Sequence, residues 1–294
     1  MCNNVFRGLG VALVTPFSAD GGVDFASLSG LVDYVVAGGA DFVCALGSTA
    51  ETPCLSVRER MAVKDAVVGA VGGRVPVLLG MGGNDTGALC KEIGCFDFSG
   101  VSGILSVVPF YNRPSQRGIY EHFGRVAEAA GDMPVVLYNV PGRTGVNMQA
   151  ATTLRLAHDY HNIVAVKEAS GSVAQIGQIV EGAPEGFGVL SGDDSLTCDL
   201  LLRGACGVVS VVGNAAVRTF GGMVRAALAG DAARAAATNR ELQELYGLVF
   251  AEGNPAGIKA LLAAKGLCLN VLRLPLTPVS QQTADGLQRW ASVD

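Results

Sequence analysis

Eight short apolar runs recur along the chain, and they constrain its fold more than any other feature. They read LGVALVTP, DFVCALGS, VPVLLGMG, SGILSVVPF, MPVVLYNVP, NIVAVKEAS, FGVLSGDD and CGVVSVVGN. Their spacing of roughly 20–35 residues is the interval of a βα unit. Each run is nearly continuous rather than alternating, as suits a parallel strand covered on both faces. The segments between them read as helices. VRERMAVKDAVVGAV and the stretch from Ile119 through Ala130 place apolar residues at three- and four-residue steps. Asp24 and Ser56 stand where N-caps belong. Eight units in a row predict an α/β fold, a (β/α)₈ TIM barrel ending near Gly230. An open doubly wound sheet is the competing fold, but no G-x-G-x-x-G follows the first run. After Gly230 the sequence becomes rich in alanine and leucine, with no further candidate strand until VLRLPLTP. Residues 1–230 are therefore expected to form the catalytic barrel. Residues 231–294 are expected to form a C-terminal helical segment, packed on the barrel or on a partner subunit.

Composition removes several function classes. Half of the residues are hydrophobic and 16% are charged, enough for a large core. A net charge of −5, with no lysine/arginine-rich cluster, argues against nucleic acid as a partner. No apolar run approaches the roughly 18–20 residues of a membrane span, so no membrane partner is expected. The N-terminal MCNNVFRGLGVALVTPFSAD fits a first strand better than a signal peptide. The eight cysteines contain no C-x-x-C pair, the nearest being Cys90 with Cys95. His122, His158 and His161 form no H-E-x-x-H. Reduced thiols in a cytoplasmic protein follow, rather than a zinc site or a disulfide framework.

In a barrel, groups at the C-terminal strand ends face the active site. There the chain places Thr15, Gly47-Ser48-Thr49-Ala50-Glu51, Tyr111-Asn112-Arg113, Tyr138-Asn139, Arg143-Thr144, Lys167-Glu168, Ser191-Gly192-Asp193 and Asn214. Clustered carboxylates or histidines of a metal hydrolase are missing from that set. The chain has five lysines, and Lys64, Lys91, Lys259 and Lys265 read as solvated positions on helices. Lys167, inside IVAVKEAS, does not. Burial there disfavours the ammonium form and makes the neutral amine accessible, as Schiff-base formation with a carbonyl requires. An ion pair with a neighbouring carboxylate is the competing explanation. Tyr111 and Tyr138 end apolar runs and could relay protons, or be half-buried core rings. Arg143, in PGRTG, is free to bind a carboxylate in two-point fashion.

GSTAE (47–51), PFYNRPSQRGIYEHF (109–123), YNVPGRTG (138–145), VKEAS (166–170), LSGDD (190–194) and GVVSVVGN (207–214) occur in that order. Together they resemble the dihydrodipicolinate synthase (4-hydroxy-tetrahydrodipicolinate synthase) family of pyruvate-dependent class I aldolases, a group that includes N-acetylneuraminate lyase. The resemblance implies condensation of pyruvate with L-aspartate-4-semialdehyde on the diaminopimelate route to lysine. No metal or organic cofactor is implied. It assigns Lys167 to the Schiff base and Tyr138 to proton relay. Ser48 falls where most members have a threonine linking two tyrosines, and Tyr111 matches the second of them, which reaches into a neighbouring subunit's site. A homo-oligomer is thereby implied, with a dimer as minimum unit and a tetramer as a further possibility. Thr49, Gly192 and the Val209 carbonyl fall at the pyruvate positions, and Arg143 where the semialdehyde carboxylate is held.

The chain departs from the family pattern at several places. Serine at 48 keeps the hydroxyl but loses the methyl that restricts χ1. Ala50 replaces a glycine, at a cost if the position needs positive φ. The family's lysine-feedback positions correspond to Val57, Arg60, Ala88 and Phe110, with only Asn84 retained, so weak or absent lysine inhibition is expected. Two other functions share the key residues. One is a sibling lyase acting on N-acetylneuraminate, a 2-keto-3-deoxy sugar acid or a hydroxy-oxoglutarate. The other is a non-catalytic pyruvate-binding sensor.

Overall fold

Each of the eight apolar runs forms a strand in a computed structural model that describes residues 5–294. The strands are β1 Gly8–Ala12, β2 Phe42–Ala45, β3 Val77–Gly80, β4 Gly103–Val107, β5 Val135–Asn139, β6 Ile163–Glu168, β7 Gly188–Ser191 and β8 Gly207–Ser210. They pair in parallel, in sequence order, and β1 pairs with β8 to close the barrel. Closure excludes the open sheet. The strands alternate with α1 Phe25–Ala37, α2 Val57–Val71, α3 Thr86–Cys95, α4 Gln116–Ala130, α5 Pro141–Thr144, α6 Ala150–Asp159, α7 Val173–Gly182, α8 Thr197–Leu202 and α9 Val217–Leu228. Four more helices follow: α10 Ala232–Glu241, α11 Gln243–Phe250, α12 Ala256–Ala264 and α13 Gln281–Gln288. The eighth unit is complete at Leu228, and the tail packs back on the barrel through α10 against α9.

Local chemistry explains the helix starts. Ser56 opens α2 with a capping box: its hydroxyl accepts from Glu59 N–H, and Glu59 Oε2 accepts from Ser56 N–H at 2.8 Å. Asp24 caps α1 by accepting from Ser27 N–H at 3.0 Å. Alternation along the strands divides the core in two. Val166 and Leu137 join the layer between strands and helices, whereas Phe6, Phe42, Cys44, Val136, Tyr138, Ala165 and Val209 fill the lumen. Phe6 and Phe42 meet edge to face at 5.4 Å. Gly10 makes room for them, because a Cβ there would lie 2.2 Å from the Phe42 ring.

VLRLPLTP is not a strand, contrary to the pattern of its apolar residues. Pro275 and Pro278 remove donors a ladder needs. Arg273 pins the segment instead, donating to Gly21 O at 2.8 Å, Cys54 O at 2.8 Å and Glu59 Oε1 at 2.5 Å. Arg273 and the Ser56 N–H hold the Glu59 carboxyl down near 2. Among the described residues, no helix is long and apolar enough to cross a membrane.

Candidate active site

The two-residue period of β6 sends adjacent side chains in opposite directions. Ala165 and Lys167 enter the lumen, while Val166 and Glu168 face the helices. Glu168 accepts from Asn139 Nδ2 at 3.0 Å, Gln175 Nε2 at 2.9 Å and Ser170 N–H at 2.9 Å. Burial raises its carboxyl above the usual range, with these donors opposing the rise. Glu168 is therefore spent on its own loop and does not pair with Lys167.

Lys167 is 6% exposed and has no carboxylate partner among the described residues. The ion-pair explanation of its burial fails on that point. Its neighbour across the sheet is Tyr138, in register on β5. Lys167 Nζ lies 4.4 Å from the Tyr138 ring centroid, over its face. Gly192 closes the other side: a Cβ there would come within 3.1 Å of Lys167 Cε and 2.7 Å of Ala169 Cβ. Cys44 shares the lumen, but burial pushes its thiol up to about 11, against the pull of the Lys167 charge. It stays protonated and does not compete as a nucleophile.

A cavity of about 590 Å³ opens at the C-terminal strand ends. Tyr138 belongs to both places, lining the cavity and stacking on Lys167. Ser48 lines it from the turn after β2, and Arg143 reaches it from the one-turn helix α5. Thr49, next to Ser48, is buried. Val209 is a lumen residue of β8 in the same cluster as Tyr138. Ala50 is buried and its φ is not positive; the left-handed residues of this turn are Leu46 and Glu51, each at φ 55°. Alanine at 50 is therefore unstrained. Thr15, Ser191 and Asn214 brace loops: Thr15 donates to Ala50 O at 2.8 Å, Ser191 to Asp193 O at 2.8 Å, and Asn214 to Ala12 O at 2.8 Å. Tyr111 is not gathered here. It is 88% exposed with φ 68°.

Three of the four remaining lysines correct the sequence reading. Lys259 on α12 is fully buried and ion-paired to the equally buried Glu51, and it also donates to Val271 O at 2.9 Å. Lys64 is buried on α2 beside Asp65 at 2.5 Å and Asp97 at 3.6 Å. Lys265 is half-buried and donates to the Ala291 and Val293 carbonyls. Only Lys91 keeps the exposure expected of it. Helical periodicity locates a packed face but not the carboxylate or carbonyl that another segment brings to it. AGIKALLAA was nevertheless as apolar a frame for Lys259 as IVAVKEAS is for Lys167. The other residue missed was Asn254. It lines the cavity, donates through Nδ2 to Thr49 Oγ1 at 2.9 Å, and accepts on its backbone carbonyl from Arg143 Nη2 at 3.2 Å.

Residues 5–293 match the model of the Dihydrodipicolinate synthetase family. The chain is 50% identical over 285 residues to the 4-hydroxy-tetrahydrodipicolinate synthase of Azobacteroides pseudotrichonymphae, covering 97% of this chain and 96% of that one. It is 50% identical over 288 residues to the enzyme of that name from Phocaeicola vulgatus, covering 98% and 97%. Among solved structures, the dihydrodipicolinate synthase of Aquifex aeolicus superposes with a TM-score of 0.93 at 40% identity, over 97% of this chain and 96% of that one. With a closed barrel, an inward lysine against a tyrosine, and matches of this extent, the chain belongs to the dihydrodipicolinate synthetase family.

Proposed function

We propose that this protein condenses pyruvate with L-aspartate-4-semialdehyde through an imine on Lys167, giving 4-hydroxy-tetrahydrodipicolinate. The observation that carries the reading is Lys167 itself, a buried residue with no carboxylate partner among the described residues and a phenol ring against its Nζ. The neutral amine adds to the pyruvate ketone, and the carbinolamine loses water to form the imine. Loss of a methyl proton gives the enamine, whose carbon attacks the aldehyde of the second substrate; that substrate's own amino group then attacks the imine carbon, closing the ring and expelling the Lys167 amine. The protonated imine is the electron sink. Tyr138 moves protons in these steps, with Ser48 linking it to the Tyr111 of a neighbouring subunit. Thr49, Gly192 and the Val209 carbonyl hold the pyruvate end, and Arg143, exposed at the rim, takes the semialdehyde carboxylate. We assign the catalytic groups to the 1–230 barrel, and to the tail packing, subunit contacts and the Asn254 edge of the cavity. The free thiols described throughout the chain fit a cytoplasmic setting.

The Tyr111 conformation supports a dimer as the minimum working unit, within a homodimer or tetramer. A non-glycine residue in the left-handed region with an 88% exposed ring has little to gain within its own chain. Turnover of both substrates, coupled to a reductase that consumes the product, tests the function. Borohydride reduction with pyruvate tests the imine by mass at Lys167. A sibling lyase would trap pyruvate without turning over the semialdehyde, and a sensor would do neither.

Two expected outcomes belong to this reading. Lysine on the order of 1 mM should leave turnover essentially unchanged. At the feedback positions Val57 is exposed, and Arg60 is already paired with Glu92 at 3.0 Å, placing a cation where an incoming ammonium would need an anion. Inhibition at micromolar lysine would sink this point. Ser48→Thr should raise kcat by no more than about tenfold, since it adds only a rotamer restriction to a hydroxyl that is already present. A gain of orders of magnitude would mean that Ser48 leaves the relay broken.

A further inference from the structure

Asn254 comes from the segment between α11 and α12, more than two hundred residues from the turn it touches, and it contacts two side chains of the site at once. Its Nδ2 donates to Thr49 Oγ1 at 2.9 Å, while its backbone carbonyl accepts from Arg143 Nη2 at 3.2 Å. Its Oδ1 is buried with no partner among the described residues. A hydroxyl has one hydrogen to give. By accepting from Asn254, Thr49 keeps that hydrogen for a ligand, and a carboxylate can only accept. An asparagine retained for stability alone would be expected to have its carbonyl satisfied as well, since an unpaired buried acceptor is destabilising.

We propose that Asn254 is a positioning residue of the 2-oxo acid subsite. Its amide turns the Thr49 hydroxyl into a donor aimed at the substrate carboxylate, and its backbone carbonyl steadies Arg143 over the second subsite. The proposal rests on the reading of this cavity as a pyruvate site. It separates the two contacts cleanly, because only the first is made by the side chain. Aspartate at 254 would accept from Thr49, reversing the hydroxyl, and would place a second negative charge beside the ligand's.

Steady-state kinetics on Asn254→Ala, Asn254→Asp, Thr49→Val and the Asn254→Ala/Thr49→Val double variant test this, with melting temperature and borohydride trapping measured on each. Asn254→Ala should raise the KM for pyruvate about tenfold or more, the worth of a hydrogen bond to a charged group. Asn254→Asp should raise it further. In both, kcat at saturation and the KM for the semialdehyde should stay within about threefold, because Arg143 keeps its backbone contact. In the Thr49→Val background Asn254→Ala should add almost nothing. Pyruvate KM within twofold of wild type in both single variants would overturn the proposal. So would full additivity with Thr49→Val, or a joint fall in kcat and melting temperature with no selective change in KM. If wild-type protein fails to trap pyruvate on Lys167, the pyruvate reading itself fails and the proposal with it. If trapping succeeds and the variants behave as wild type, only the role of Asn254 is lost.

Discussion

Lys167→Met is expected to lower turnover by roughly 10⁴-fold or more, the scale on which losing a covalent nucleophile acts, and to abolish borohydride trapping of pyruvate, while leaving the fold as stable as before or more so. The second half follows from the surroundings. Lys167 has the face of Tyr138 against its amine and no carboxylate partner among the described residues. An amine set among apolar lumen side chains and paired with no carboxylate adds little to the stability of the fold. Methionine has similar length and no charge, and it suits a lumen that already holds Ala165, Val136 and Leu190. Activity lost without stability lost is the signature of a residue kept for chemistry. Comparison of melting curves and single-turnover rates decides it. A variant that melts well below wild type would mean that Lys167 is structural, and residual turnover within about a hundredfold would remove the Schiff base from the mechanism.

The other lysine of the barrel mouth should behave in the opposite way. Lys259→Met leaves Glu51, fully buried, with the Arg273 backbone N–H at 2.9 Å as its remaining partner. Breaking a buried pair on one side typically costs about 3–5 kcal/mol. For a chain of this size that corresponds to a fall in melting temperature of roughly 6–10 °C. The same substitution should raise the KM for pyruvate, since Glu51 ends the turn that carries Ser48 and Thr49. Glu51→Gln/Lys259→Met should recover most of the stability, because a neutral pair leaves no uncompensated charge. That recovery would mark the pair as a device for fixing one arrangement of the turn rather than a source of net stability. If Lys259→Met and the double variant melt alike, the loss lies in packing, and the electrostatic explanation fails.

These two substitutions separate residues that look alike in the sequence. Both lysines sit in apolar frames and both are buried, yet one faces a phenol ring and the other a carboxylate.

What the sequence by itself determined was whatever depends on near neighbours along the chain. Apolar runs at βα spacing specified all eight strands, because hydrophobic patterning is a local property that closure of the barrel then satisfies. The two-residue period placed Lys167 on the face of β6 opposite Glu168, and the turn residues around Ser48 and Arg143 marked the mouth. Only the tertiary structure decided what each buried polar group meets. Glu51 and Lys259 are 208 residues apart, and Thr49 and Asn254 are 205. Their pairing depends on how the tail folds back over the barrel, about which neither segment carries a local signal. VLRLPLTP shows the converse error, a strand-like texture overruled by two prolines and an arginine that finds its acceptors at Gly21, Cys54 and Glu59. Burial and partnership are three-dimensional properties. Patterning reports the first in part, and the second only when the partner lies within a turn or two of chain.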